Sequence, residues 1–253
     1  MSHNGKRVNI KEIGALLANT AQLFVTYQQH NVIPYILGYV NKEPLLLLMP
    51  QQKIVGAPNV LIAAGFHGDE IAGPLAIIQH LANNKHIENV NISYLPVVST
   101  SATKRGTHLN EWEENVNRGF CNQEAHPLSK EGVVLLGNIE LLHLLAKDGY
   151  LALHEDVNEN SFYAYTRGAQ QKKLESALRR TGRKFFALNK RDTQEGIITD
   201  DYANSFEDIM NRKRVPYIAC TETPGCKTLK QRVLANVALI KTFCIIIKSA
   251  IKT

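Results

Sequence analysis

Short apolar runs bounded by turn residues alternate along this chain with longer stretches of helical period, and that alternation predicts an α/β fold. Residues 33–40 and 44–49 are apolar runs separated by Asn41-Lys42-Glu43, the pattern of an antiparallel hairpin. Val60-Leu61-Ile62-Ala63-Ala64, between Pro58 and Gly65, is apolar at every position, as expected of a strand covered on both faces. A helix should follow from Gly73 through Ile77-Ile78 to Leu81. Residues 90–98 alternate well enough for a strand, 133–147 carry a dense helical pattern, and 150–153 and 216–221 read as two more buried strands. Residues 170–180 suit an exposed amphipathic helix. The apolar stretch 233–251 is interrupted by Lys241 and Lys248, which favours a core-packing helix over a membrane span. That leaves 100–127 and 189–211 as long irregular segments, and long loops in compact domains tend to carry function. No repeat or interdomain linker is visible, so residues 1–253 are expected to form one catalytic domain.

Chemistry concentrates at the predicted strand ends. In open α/β sheets ligands settle in the crevice beyond the carboxyl ends of the strands. Gly65-Phe66-His67-Gly68-Asp69-Glu70 occupies that place after the first buried strand, and its glycines allow a sharp turn that presents His67 and Glu70 together. Imidazole nitrogen and carboxylate oxygen are both zinc ligands, and a catalytic zinc site takes three protein ligands with a fourth position left open. His154, directly after the 150–153 strand, is the best third ligand, because the other histidines fall in apparent helices, loops or the polar terminus. Glu222 ends the 216–221 strand before Thr223-Pro224-Gly225 and should face the same edge, as a carboxylate able to take a proton from water. Asn117-Arg118, in a turn-rich segment, offers a planar cationic fork and a directed amide for a substrate carboxylate.

His67-Gly68-Asp69-Glu70, Asn117-Arg118, His154 and Glu222, in that order, resemble the zinc metallocarboxypeptidase family and its amidohydrolase relatives. Those relatives include murein peptide amidases, succinylglutamate desuccinylase and aspartoacylase, and the likeness is nearest to the short bacterial branches. The resemblance implies a three-layer α/β/α fold around a central mixed, mostly parallel twisted sheet. It implies one zinc ion on His67, Glu70 and His154, a substrate carboxylate on Asn117 and Arg118, and Glu222 as the catalytic acid/base. The family's oxyanion-stabilising arginine commonly stands two residues before an asparagine, where this chain has His108-Leu109-Asn110; Arg105, slightly upstream, is the expected substitute, with His108 as the alternative. The family's mobile tyrosine corresponds best to Tyr202. The implied activity is hydrolysis of an amide in a small carboxylate-bearing peptide, with an N-acyl amino acid deacylase or a non-catalytic metal- or peptide-binding homologue as the rival readings. Glu155 and Asp156, beside His154, could support a liganding imidazole, attract a cationic group or join a second metal.

Composition narrows the class. At 253 residues and 44% hydrophobic content the chain can build a substantial core. Four cysteines, Cys121, Cys220, Cys226 and Cys244, lack the paired spacing of a structural zinc site and are expected to be free thiols. Residues 1–7 carry no apolar stretch behind their basic residues, which leads to the expectation of a cytoplasmic protein. The net charge of +6 gathers in basic pairs of the C-terminal half, read as a solvated helix face. Without a recognisable nucleic-acid motif, the expected partner is a small peptide or acyl amino acid, with neither nucleic acid nor membrane.

Overall fold

Strands β3 (Asn59–Ala64) and β5 (Gly149–Asp156) are buried almost end to end, and the sheet grows outward from them. The structure is a computed structural model that describes residues 31–82, 87–168, 171–190, 194–199 and 204–251. With β1 (Val32–Val40), β2 (Glu43–Pro50), β4 (Asn91–Leu95), β6 (Tyr163–Arg167), β7 (Ile197–Thr199) and β8 (Ile218–Pro224), the described strands form one sheet in the order β1-β2-β4-β3-β5-β8-β6-β7. The central pairs β4/β3, β3/β5 and β5/β8 are parallel, whereas β1/β2, β2/β4 and β8/β6 are antiparallel. The expected hairpin at the amino end of the sheet is β1 and β2.

Because side chains alternate across a strand, the two faces of this sheet build two separate cores. Val60, Ile62, Leu151 and Leu153 point to one face and pack with α1 (Ala72–Ala82), α5 (Gln171–Arg183) and α7 (Leu229–Ile251) through Ile77, Leu178, Leu239 and Phe243. Leu61, Ala63, Tyr150 and Ala152 point to the other, against α3 (Lys130–Gly137), α4 (Ile139–Leu145) and α6 (Phe206–Arg212) through Leu135, Leu142 and Phe206. This is the three-layer α/β/α arrangement. Helix α7 is long and apolar enough to cross a membrane by length and composition, and half of that stretch is buried here. The basic residues of α5 line its outer side, with Lys172, Lys173, Arg180 and Arg183 exposed while Leu174 and Leu178 are buried, as an amphipathic surface helix requires.

Several boundaries differ from the expected ones, each for a local reason. The 133–147 pattern divides into α3 and α4 at Asn138, whose side-chain amide donates to the carbonyls of Val134 and Leu37 and so interrupts the helix. The 90–98 strand contracts to β4, and its last residues turn into α2 (Thr100–Arg105), which Ser99 caps by accepting the Ala102 N–H. Strands β5 and β8 run further than their apolar runs, so His154 and Glu222 lie within the sheet, opposite each other in register, rather than past its edge. Pro224 ends β8 without conflict because its missing N–H falls on the final residue.

The same alternation sends Glu155 away from His154, onto the α1/α7 face. There one carboxylate oxygen accepts the Ala72 N–H at the start of α1, at 2.6 Å, and the other pairs with the buried guanidinium of Arg232. Burial pushes Glu155 up to about 7 against the opposing pull of Arg232. Glu155 therefore ties two helices to the sheet and is not part of a second metal site. Arg232→Met should destabilise the fold by about 3–5 kcal/mol in denaturant titration, since it strands a buried carboxylate, and adding Glu155→Gln should recover much of the loss. A single-variant loss no larger than that of an ordinary surface change, about 0.5 kcal/mol, would show the pair to be unimportant.

Candidate metal centre

The turn after β3 is pinned from two sides. Gly65 has a left-handed φ of 68°, and the chain on either side is held by Val98 N–H to Ala64 O and Ser99 N–H to Gly65 O. Gly68 donates its N–H to Thr107 O at 2.8 Å and lies so close to α2 that a Cβ would overlap the Ala102 carbonyl, so only glycine fits. His67 and Glu70, on either side of this contact, cannot drift with the loop.

Glu70 then reaches both imidazoles. Its Oε1 lies 2.7 Å from His67 Nδ1 and its Oε2 lies 2.7 Å from His154 Nδ1, with all three residues buried. Burial alone would raise the Glu70 carboxyl, but the charges and hydrogen bonds of His67 and His154 outweigh it and hold the group below the usual carboxylate range. His154 moves the opposite way: burial disfavours its charge, yet Glu70 chiefly, with Glu222 and Glu207, lifts it to about 9.

The outer nitrogens of the two rings are held differently. Asn115 Oδ1 lies 3.2 Å from His67 Nε2 and also accepts the Asn117 N–H at 3.0 Å, which identifies the oxygen end of the amide. An amide oxygen only accepts, so His67 Nε2 is the donor toward Asn115, and Nδ1 is the nitrogen that faces Glu70. The His154 ring stacks on Phe66 at 5.5 Å, but its Nε2 is buried without a hydrogen-bond partner.

His108 lies on the solvent side of His67. Its ring stacks on His67 with centroids 3.7 Å apart, and its Nδ1 lies 3.6 Å from Asp69 and 3.9 Å from Glu70, while half of the side chain faces solvent. The Asp69 hydrogen bond, opposed by burial and aided by Glu70, raises its pKa. His67, Glu70 and His108 have ligand atoms within 4.8 Å of one another.

Glu222 stands beside His154 on β8 and is partly buried, with Tyr163 of β6 opposite it on the other side. Burial pushes its carboxyl well up; His154 opposes that, while the negative charges of Glu70, Asp156 and Glu207 add to it. Tyr163 donates its hydroxyl to Asp156 at 2.7 Å.

The structure thus brings together His67, Glu70, His154 and Glu222. Two imidazole nitrogens converging on one buried carboxylate form a donor set that suits a divalent metal, zinc in particular. Arg118 donates to the Asn117 carbonyl at 2.8 Å, and its charge is felt at Cys220, the β8 thiol 3.9 Å from Glu222. The Asn117 amide is already engaged, accepting from Phe206 N–H and donating to Glu207, so its first task is to fix α6. Arg105 is not drawn into the cluster: its half-exposed guanidinium meets the Asn110 carbonyl and Glu113. Tyr202 lies outside the described residues.

Sequence reasoning missed Asn115, Tyr163 and Glu207. Asn115 was within reach, two residues before Asn117 in the same turn; Tyr163 and Glu207 belong to β6 and α6, which the pattern did not reveal. All four cysteines are unpaired, with Cys220 and Cys244 buried and Cys226 exposed.

The chain is similar to several known proteins. The succinylglutamate desuccinylase/aspartoacylase catalytic-domain model matches residues 56–176. No curated protein matches the chain. A protein from Shewanella denitrificans proposed to be a metallopeptidase is 32% identical, covering 94% of this chain and 92% of that one, with a TM-score of 0.85. One of the same description from Shewanella amazonensis is 33% identical, covering 92% and 94%, with a TM-score of 0.83. A metallo-carboxypeptidase from Burkholderia cenocepacia, 14% identical over 91% of this chain and 69% of that one, shares the fold at a TM-score of 0.69. By identity, coverage and fold together, this chain belongs to the zinc carboxypeptidase-like superfamily of metallohydrolases.

Proposed function

We propose that the protein is a zinc-dependent hydrolase that cleaves an amide bond in a small peptide bearing a free carboxylate, with His67, Glu70 and His154 holding the ion. The observation that carries this reading is the buried Glu70 carboxylate, 2.7 Å from an Nδ1 atom on each of two rings, with Glu222 beside His154 on the neighbouring strand. Zinc, when bound, supplies Lewis acidity that polarises a carbonyl and acidifies water toward a pKa of about 7.

The chain's own groups do the rest. Glu222 accepts the proton of the attacking water and returns it to the departing nitrogen, because an amide nitrogen leaves poorly as an anion. Arg118 pairs with the substrate carboxylate through the fork that Asn117 leaves free, and the remaining Asn117 amide hydrogen can add to it. Fixing the carboxylate replaces a random encounter by a held one. Tyr202 is the proposed counterpart of the family's mobile tyrosine. For the developing oxyanion, His108 is better placed than Arg105: it lies against His67, whereas Arg105 is occupied at Glu113. An imidazole donor there would do the work of the missing arginine.

A second reading, an N-acyl amino acid deacylase, is favoured by the match of residues 56–176 to the succinylglutamate desuccinylase/aspartoacylase model. Both readings use the same zinc, proton carrier and carboxylate clamp, and differ in whether the acyl part or the amine part of the substrate is the larger. Turnover of a short peptide panel that includes muropeptides, set against N-succinyl and N-acetyl amino acids, separates them.

Zinc at a hundred times its Kd should stabilise the chain by about 2.7 kcal/mol, seen as a rise in Tm. Glu70→Ala and His154→Ala should each abolish the rise, and its survival in both would remove the proposed ligand set. Glu222→Gln should lower kcat by about 100-fold to 10,000-fold with zinc content unchanged. His108→Ala should lower kcat by about 100-fold to 1,000-fold, and Arg105→Ala should leave it near wild type; the reverse order would return the oxyanion role to Arg105.

A further inference from the structure

The buried end of the metal centre holds two unsatisfied groups that face one region. His154 Nε2 is buried without a partner, and so is Glu207 Oε1, on a residue only 1% exposed. A ring nitrogen of His154, a carboxylate oxygen of Glu207 and Cys220 Sγ all lie within 4.8 Å of one another. The strand alternation explains the convergence, since His154 follows Ala152 and Tyr150 onto the sheet face covered by α6, the helix that carries Glu207. The other Glu207 oxygen is fixed by the Asn117 amide at 3.1 Å, so the side chain is anchored through one oxygen while the second is left without a partner.

We propose that Glu207 is the positioning residue of His154, its carboxylate accepting the Nε2–H of that ring and thereby presenting Nδ1 to the metal. A buried donor and a buried acceptor left apart each cost about 1–3 kcal/mol, and pairing them removes both penalties. Liganding histidines commonly give their second N–H to such an acceptor, which fixes ring orientation and raises ligand basicity. His67 has a neutral amide in this role, Asn115; His154 has an anion. The two arms of the site therefore differ, and the anionic arm is coupled through Asn117 to the turn that bears Arg118. This inference rests on the proposed reading of His154 as a ligand.

The test uses the full chain and zinc itself. Competition against a chromophoric chelator should show Glu207→Gln binding zinc about 10-fold to 100-fold more weakly than wild type, with Glu207→Asp restoring part of the loss. In a long-range proton–nitrogen spectrum of the zinc-loaded wild type, the His154 ring should carry a slowly exchanging proton on Nε2 that shifts in the Gln variant. Wild-type affinity together with an unmoved Nε2–H in Glu207→Gln would overturn the proposal. So would a zinc-loaded wild-type ring protonated at Nδ1, a result that stands even where the variants do not fold. Two zinc ions per chain, falling to one in both Glu207→Gln and Cys220→Ser, would overturn it by making the cluster a metal site of its own. Full zinc affinity in His154→Ala would instead bring down the ligand assignment on which the inference rests.

Discussion

A single buried carboxylate, Glu70, draws together the side chains of the candidate metal centre. Glu70 sits where desolvation should neutralise it, and it remains an anion because two imidazoles face it from different parts of the chain. An anion in a poorly solvated site demands positive charge, whether from protonated rings or from a divalent ion. The glycine contact under α2 and the extension of β5 through His154 both serve that demand. Each brings a donor to a fixed point around one pair of oxygens.

The sequence announced the centre of the sheet and left its margins obscure. β3 and the hairpin of β1 and β2 are dense apolar runs between turn residues, and they appear close to where the pattern put them. β6 could not be found the same way: YAYTR has an edge-like alternation with no apolar block, and its place is set by antiparallel pairing to β8, a partner fifty-odd positions away in the chain. α6 is only two turns long: Asp208 caps it locally by accepting the Ser205 N–H, but the bond from Phe206 N–H to Asn117 is tertiary, and no local window contains it. The grouping of His67, Glu70 and His154 was legible because metal chemistry limits candidate donors to few residue types and strand ends limit their positions. The orienting groups were not, because Asn115 and Glu207 are ordinary polar residues until a fold brings them against an imidazole.

Amide side chains brace the irregular segments around Arg118. Asn110 is fully buried within an irregular segment and bonds to Trp112 N–H, Glu114 N–H, Glu114 and Glu131, so the stretch leading to Asn117 and Arg118 is braced from within. Asn204 performs a similar service beyond it, accepting from Cys121 and Asn122. A long connection without regular structure can hold a charged fork steady when its own amides supply the missing backbone partners.

The side-by-side seats of His154 and Glu222 have a lasting consequence. Their separation is governed by the spacing between hydrogen-bonded neighbours in a pleated array, about 4.8 Å, rather than by any flexible segment. Peripheral segments can be lengthened, shortened or rewritten to admit a different cargo while Glu222 keeps its distance from the ring. In such a design, diversification of what is cut need not reopen the question of how it is cut.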